Sequence, residues 1–254
     1  MTAPSSVVAN NIEGRVAIVT GASRRIGRQT ALGLAAHGAD VVVTARSARD
    51  EIEAVADEVR GSGRKATVVM VDVTQEDDVA RLAETVRAEH GRADILVNNA
   101  AIRKQSPLLE MSLDEWQRIN AVVLDGAFLT CRALLPLMIE TGGGTIVNIG
   151  GMTGHTGAPN RAHVSAAKAG LVGFTKALAV EFGDRGITAN CLVPGAIGGV
   201  RSATSGTAPA HGETLLGRDG EVAEAGAMVV ALCLPQAAFV TGQTVHVNGG
   251  LYMP

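Results

Sequence analysis

The chain has 254 residues, 46% of them hydrophobic and 19% charged, a composition that excludes disorder and collagen-like structure and supplies a full apolar core. Twenty-two basic against 25 acidic side chains give a net charge of -3, and one Trp, one Tyr and four Phe are present; the basic footprint and stacking platforms of nucleic-acid binders are both missing. Cys131, Cys191 and Cys233 are odd in number and widely spaced in apolar runs, so they read as reduced core residues of a cytoplasmic protein rather than a disulfide frame or metal site.

Residues 1–13 carry no apolar block of the signal-peptide kind and are expected to be a flexible segment ahead of one domain spanning 14–254. The first strand, 16–20, runs into Thr20-Gly21-Ala22-Ser23-Arg24-Arg25-Ile26-Gly27, which opens a helix over 26–37. Glycines there let the backbone approach a pyrophosphate held at the helix N-terminus. The second strand, 41–44, ends Val43-Thr44-Ala45-Arg46-Ser47. NAD users carry an acid at the Ala45 position; an arginine after it can pair instead with a phosphate.

A helix over 50–60 leads to the third strand, 67–71, ending in Asp72-Val73. After a helix over 77–90, the fourth strand, 95–97, ends in Asn98-Asn99-Ala100 with Arg103-Lys104 beyond it. A long helix over 113–139 contains Asn120, and the fifth strand, 145–149, ends Asn148-Ile149-Gly150-Gly151. A glycine-rich loop with His155 and then Asn160-Arg161-Ala162-His163 lead into a helix over 162–182. The sixth strand, 188–193, is followed by Pro194-Gly195-Ala196-Ile197, a substrate loop to Gly212, a helix over 221–232 and a seventh strand, 244–247. No window reaches eighteen uncharged apolar residues, so no membrane span is expected. Seven strands apolar on both faces and alternating with helices imply a single α/β, doubly wound Rossmann-like domain, its sheet mostly parallel and covered on both faces.

The turn, Asp72-Val73, Asn98-Asn99-Ala100, Asn120, Lys168, Pro194-Gly195 and the closing Gly242-Gln243 to Asn248-Gly249-Gly250 together resemble the short-chain dehydrogenase/reductases over nearly all of 15–252. The resemblance implies a cofactor site of Gly21, Ser23, Arg24, Arg25, Ile26, Gly27, Arg46, Asp72, Val73, Asn98, Ala100, Lys168, Pro194, Gly195 and Ile197. Arg25 replaces the turn's middle glycine, so its guanidinium either lies beside the phosphates or points to solvent. Arg24 with Arg46 favours NADP(H) over NAD(H).

The family's usual catalytic set is an Asn, a Ser and a Tyr-x-x-x-Lys pair. The resemblance places its Tyr at Val164, four residues before Lys168, and its Ser at Gly151; Ala196-Ile197 stand where a Thr often follows Pro-Gly. Neither valine nor glycine transfers a proton. Asn120 and Lys168 remain, with His155 and His163 as candidate replacements for the missing acid. His163 would lie about 140° around the helix from Lys168, so it is not a direct substitute, while His155 on the glycine loop is better placed. Thr153 and Thr156 are weaker donors. Arg103, Lys104, Arg161, Arg201 and His211 form a possible cationic rim around a substrate subsite that includes Gly151 and Val164; an anionic substrate and ordinary solvated loop charges both fit it. Three readings stay open: an oxidoreductase acting on a small carbonyl or hydroxyl compound through an altered relay, a cofactor-binding protein without turnover, and a non-redox enzyme on the same scaffold. A homotetramer is the assembly that the resemblance implies.

Overall fold

The structure is a computed structural model, and it describes residues 11–199 and 213–254. Strands β1 Val16–Val19, β2 Asp40–Ala45, β3 Ala66–Met70, β4 Ile95–Asn98, β5 Gly144–Ile149, β6 Ile187–Pro194 and β7 Thr244–Val247 form one sheet in the order β3-β2-β1-β4-β5-β6-β7. All six neighbouring pairs are parallel, as the alternation of strands with helices requires.

Helices α1 Arg25–Ala36, α2 Arg49–Gly61 and α8 Val222–Cys233 cover one face, and α3 Glu76–His90, α5 Gly126–Glu140 and α7 Ala162–Phe182 the other. Alternate strand residues feed opposite cores: Ala17 and Val19 pack with the first group, Val16 and Ile18 with the second. That is why the strands read as unbroken apolar runs. Helix α4, Leu113–Asn120, continues through a π-helical turn at Ala121–Asp125 into α5. This run is long and apolar enough to cross a membrane, but 61% of its most apolar window is buried inside the fold, the pattern of a core helix.

Two expectations need correction. Ile12 is only 2% exposed and its N–H donates to the His37 carbonyl at 2.8 Å, so the packed chain already includes Ile12; residues 1–10 lie outside the described residues. The loop carrying His155 contains a single helical turn, α6 Thr153–Thr156, because residues 151–156 close backbone bonds such as Thr156 N–H to Met152 O at 3.0 Å.

Candidate functional site

A cleft of about 890 Å³ runs along the C-terminal ends of β1, β2, β4, β5 and β6. It lies where β1 and β4 are adjacent and the strand order reverses, the crevice in which doubly wound sheets receive ligands.

Gly21, Ser23, Arg24, Arg25 and Ile26 line one part of it. Gly27 lies behind the turn: a Cβ there would sit 2.4 Å from the Gly21 carbonyl oxygen and 2.5 Å from Asn99 Nδ2, so only glycine lets α1 close onto the strand end. Asn99 locks this arrangement. Its Nδ2 donates to the carbonyls of Thr20 and Gly21 at 2.9 and 2.8 Å, while Thr20 Oγ1 accepts from the N–H groups of Asn99 and Ala100. The family resemblance assigns Asn98 to the central strand and the cofactor ribose; here it braces the strands and faces inward, its Nδ2 donating to Asn148 Oδ1 at 2.9 Å and its Oδ1 accepting from Thr130 at 2.6 Å. Asn99 and Ala100 line the cleft and Asn98 does not. The doubled asparagine was the available signal, but which of the two turns outward depends on where β4 ends.

Arg25 adopts φ +51°, the left-handed backbone of the glycine it replaces. Its Nη2 donates to the Ile197 and Gly198 carbonyls at 3.3 and 3.1 Å, so neither a simple solvent position nor a purely phosphate-directed one describes it. Pro194, Gly195 and Ile197 also line the cleft, and β6 is pinned there by Gly195 N–H to Val247 O at 3.0 Å.

At the far end Arg24 and Arg46 are exposed and line the cleft. Glu51, on the first turn of α2, lines it too, although the Ala45 position carries no acid. Asp72 and Val73 form the wall beside them. The Asp72 N–H donates to Asp78 Oδ2 at 2.9 Å, which holds the Asp78 carboxyl below its usual range, and Asp72 Oδ1 accepts from the Thr74 N–H and hydroxyl.

The opposite end is cationic. Lys168, one helical turn after Val164, is 4% exposed and still borders the cleft with Gly151, Thr153, Arg103 and Arg161. Its Nζ donates to the Ile149 carbonyl at 2.5 Å. Burial, with the charge of Arg103 adding to it, pushes the ammonium down to about 7 against a small opposing effect of Cys191. Arg161 is only 3% exposed. Val164 packs on Ile119, Val123 and Ala127. Arg201 and His211 lie outside the described residues.

The other expected proton carriers sit elsewhere. Asn120 is not among the residues lining the cleft, and its Nδ2 donates to the Trp116 carbonyl at 2.8 Å. His163 is fully buried with Nε2 3.4 Å from Glu115 Oε1, and Glu115 also pairs with Lys104. His155 packs its ring against His246 and Tyr252, centroids 4.7 and 5.6 Å away, because α6 turns that side chain toward β7. Neither histidine lines the cleft, and this corrects the expectation that one of them faces the substrate. Thr156 donates its hydroxyl to backbone carbonyls. Burial pushes the Cys131 and Cys191 thiols up to about 12 and about 11, so neither supplies a thiolate.

The glycine turn closed against Asn99, the length of the cleft and the arginines at its end fit a dinucleotide. Gly21 and the α1 N-terminus would hold its pyrophosphate, with Asn99 bracing the turn from behind, and Asp72 with Val73 would hold its adenine side.

Residues 21–252 match the family model described as enoyl-(acyl carrier protein) reductase. The chain is 40% identical over 243 residues to a 3-oxoacyl-[acyl-carrier-protein] reductase of Synechocystis, covering 95% of this chain and 98% of that protein. It is 39% identical to 3-oxoacyl-[acyl-carrier-protein] reductase FabG of Escherichia coli, covering 96% and 99%. Among solved structures it is similar to a short-chain type dehydrogenase/reductase from Mycobacterium marinum, with 36% identity, a TM-score of 0.88 and 96% and 97% of the two chains covered. An acetoin dehydrogenase from Enterobacter cloacae is similar at 35% identity and a TM-score of 0.85, with 96% and 100% covered.

Proposed function

The chain belongs to the short-chain dehydrogenase/reductase family of oxidoreductases, and from that premise we propose that it uses NADP(H) to interconvert a small carbonyl compound and its alcohol, with a proton relay that lacks the family's usual Ser and Tyr. One observation carries the reading: a single cleft has Arg24 and Arg46 at one end and the buried Lys168 at the other. The bound nicotinamide would supply or accept the hydride. This chain's residues hold the pyrophosphate, orient the ring and place a cation where the substrate oxygen must lie.

The arginines support NADP(H), since a guanidinium pairs with a phosphate in a charge-assisted fork. Glu51 at the same end acts in the opposite sense. The 3-oxoacyl group and acetoin named for the relatives are carbonyl compounds, which supports that substrate class. Arg103 and Arg161 beside Lys168 favour a substrate that also carries an anionic group. Membership of the family favours assembly as a homotetramer, checked by light scattering. A cytoplasmic location accords with three buried, free cysteines.

A second reading, dinucleotide binding without turnover, draws on Gly151 and Val164 facing the cleft where a hydroxyl and a phenol are expected. Fluorescence titration with NADPH and NADH, followed by a carbonyl screen at several pH values, separates the two. Tight NADPH binding with carbonyl reduction supports the first; binding with no conversion of any compound supports the second.

A further inference from the structure

We propose that Lys168 is itself the general acid of this enzyme: its Nζ hands a proton directly to the substrate oxygen in the space that Gly151 and Val164 leave open. The proposal rests on the oxidoreductase reading and deepens it. Three features of the geometry carry it.

Lys168 borders the cleft although it is 4% exposed. An ammonium has three N–H donors, and the one hydrogen bond to the Ile149 carbonyl both anchors Nζ at the end of β5 and leaves donors for a ligand. The flank of the side chain is open toward position 151: a Cβ added at Gly151 would stand 3.5 Å from Cγ and 3.9 Å from Cε of Lys168. A serine's carbon and hydroxyl would fill that flank; glycine leaves it to the substrate. Val164 lies one turn earlier on the same helical face, and its short branched side chain packs on Ile119 and Val123 without the reach of a phenol.

Among the described residues the rival carriers are disposed of by position or by acidity. His155, His163 and Tyr252 are held in contacts outside the cleft lining. Thr153 lines the cleft, but an alcohol is far too weak an acid to release a proton near neutrality. Among the described residues the charged or titratable groups acting on Lys168 are Arg103, from the segment after β4, and Cys191 on β6, with Arg161 sharing the cleft wall. Burial and Arg103 bring the ammonium into the range in which a general acid works best.

In the reduction, hydride from a reduced nicotinamide dinucleotide forms a C–H bond at the carbonyl carbon, and the π pair of the C=O bond moves onto oxygen. That oxygen takes the proton from Lys168 Nζ. The carbonyl is reduced, the nicotinamide oxidised, and the neutral amine regains its proton from water. In the reverse direction the neutral amine accepts the alcohol proton.

The test joins kinetics to a readout independent of turnover. In protein labelled with ¹⁵N at lysine side chains, the Nζ signal assigned to Lys168 should titrate with a midpoint near 7; a midpoint near 10 would overturn the proposal. Wild-type kcat for reduction should fall as pH rises through that midpoint. Lys168→Arg keeps the charge but releases no proton near neutrality, so it should lose about 100-fold or more in kcat at saturating NADPH and lose the pH limb, with NADPH affinity followed separately by fluorescence titration. Should the variant not fold, the wild-type titration and pH profile still decide. An unchanged rate and pH profile in Lys168→Arg would overturn the proposal while leaving the oxidoreductase reading intact. A wild-type chain that binds NADPH and reduces nothing would remove both.

Discussion

The guanidinium of Arg25 donates to the carbonyl of Gly198 at 3.1 Å and thereby ties the phosphate turn to the segment that follows β6. The tether spans the cleft wall and holds the turn to the loop that follows β6. Its backbone stands at φ +51°, which costs a non-glycine residue about 1 kcal/mol. Arg25→Ala keeps that strain and loses the bonds; Arg25→Gly loses both. Thermal unfolding should therefore rank Arg25→Gly above Arg25→Ala, and NADPH should bind more weakly to each than to the parent. Identical melting and affinity in Arg25→Ala would show the tether to be idle.

Gly27 has no room for a methyl group, with the Gly21 carbonyl oxygen 2.4 Å from where its Cβ would stand. The conflict is with backbone, so it cannot be relieved by a side-chain rotation. Gly27→Ala should destabilise the fold by about 1–3 kcal/mol, and by fluorescence titration it should abolish dinucleotide binding. Gly61, whose Cβ would meet nothing within 4 Å, is the control position, and Gly61→Ala should leave dinucleotide binding unchanged and raise stability, by up to about 1 kcal/mol.

Cofactor choice depends on opposing charges at one end of the cleft. Arg46→Asp should lower NADPH affinity by about tenfold or more, the worth of a hydrogen bond to a charged group, and leave NADH less affected. Glu51→Gln should act in the other direction by removing a like charge from beside the phosphate. Equal changes for both cofactors would refute the phosphate assignment.

Position 151 accepts a side chain at ordinary contact distance, 3.5 Å from Lys168 Cγ, whereas Val164 is 3% exposed and packed. Gly151→Ser should fold like the parent. Val164→Tyr must direct its ring into the cleft and costs about 1–3 kcal/mol of stability if it overpacks the core instead. Combined, the two should raise reduction of plain ketones and move the alkaline limb of the pH profile. No gain from a folded, NADPH-binding double variant would show that the rest of the site is not arranged for a phenol.

Burial lowers the affinity of His155 and His246 for protons, and the neighbouring His155 adds to this at His246. Because both values fall below the ordinary 6.5, the unfolded chain binds protons more readily. The stabilisation by neutral imidazoles is complete above pH 6.5 and is lost as pH falls below it. The melting temperature of the parent should drop faster between pH 6.5 and the carboxylate range than that of His246→Phe; parallel curves would sink the linkage.

Several parts of the site were legible in residue types and spacing. Gly21 and Gly27 announce a turn that only small residues permit, Ala45-Arg46 marks the end of β2, and the four-residue step from Val164 to Lys168 places both on one face of a helix. The histidines were not legible. His155 and His163 have the right chemistry and lie in the right stretch of chain, but a one-turn helix aims the first at His246, and the start of α7 sends the second to Glu115. Nothing local distinguishes Asn98 from Asn99 either, since the pleat of β4 decides which faces Asn148 and which faces the turn.

Hydrophobic period, glycine placement and the order of strands and helices thus determined the doubly wound sheet and the position of its ligand crevice from the sequence alone, because those features depend on backbone sterics and burial, which act over a few residues. The lowered pKa of Lys168, the Arg25 tether and the Asn99 brace were decided only in three dimensions. Each depends on groups many residues apart, Lys168 with Arg103, Arg25 with Gly198 and Asn99 with Gly21, and charge, desolvation and hydrogen bonding act across space rather than along the chain.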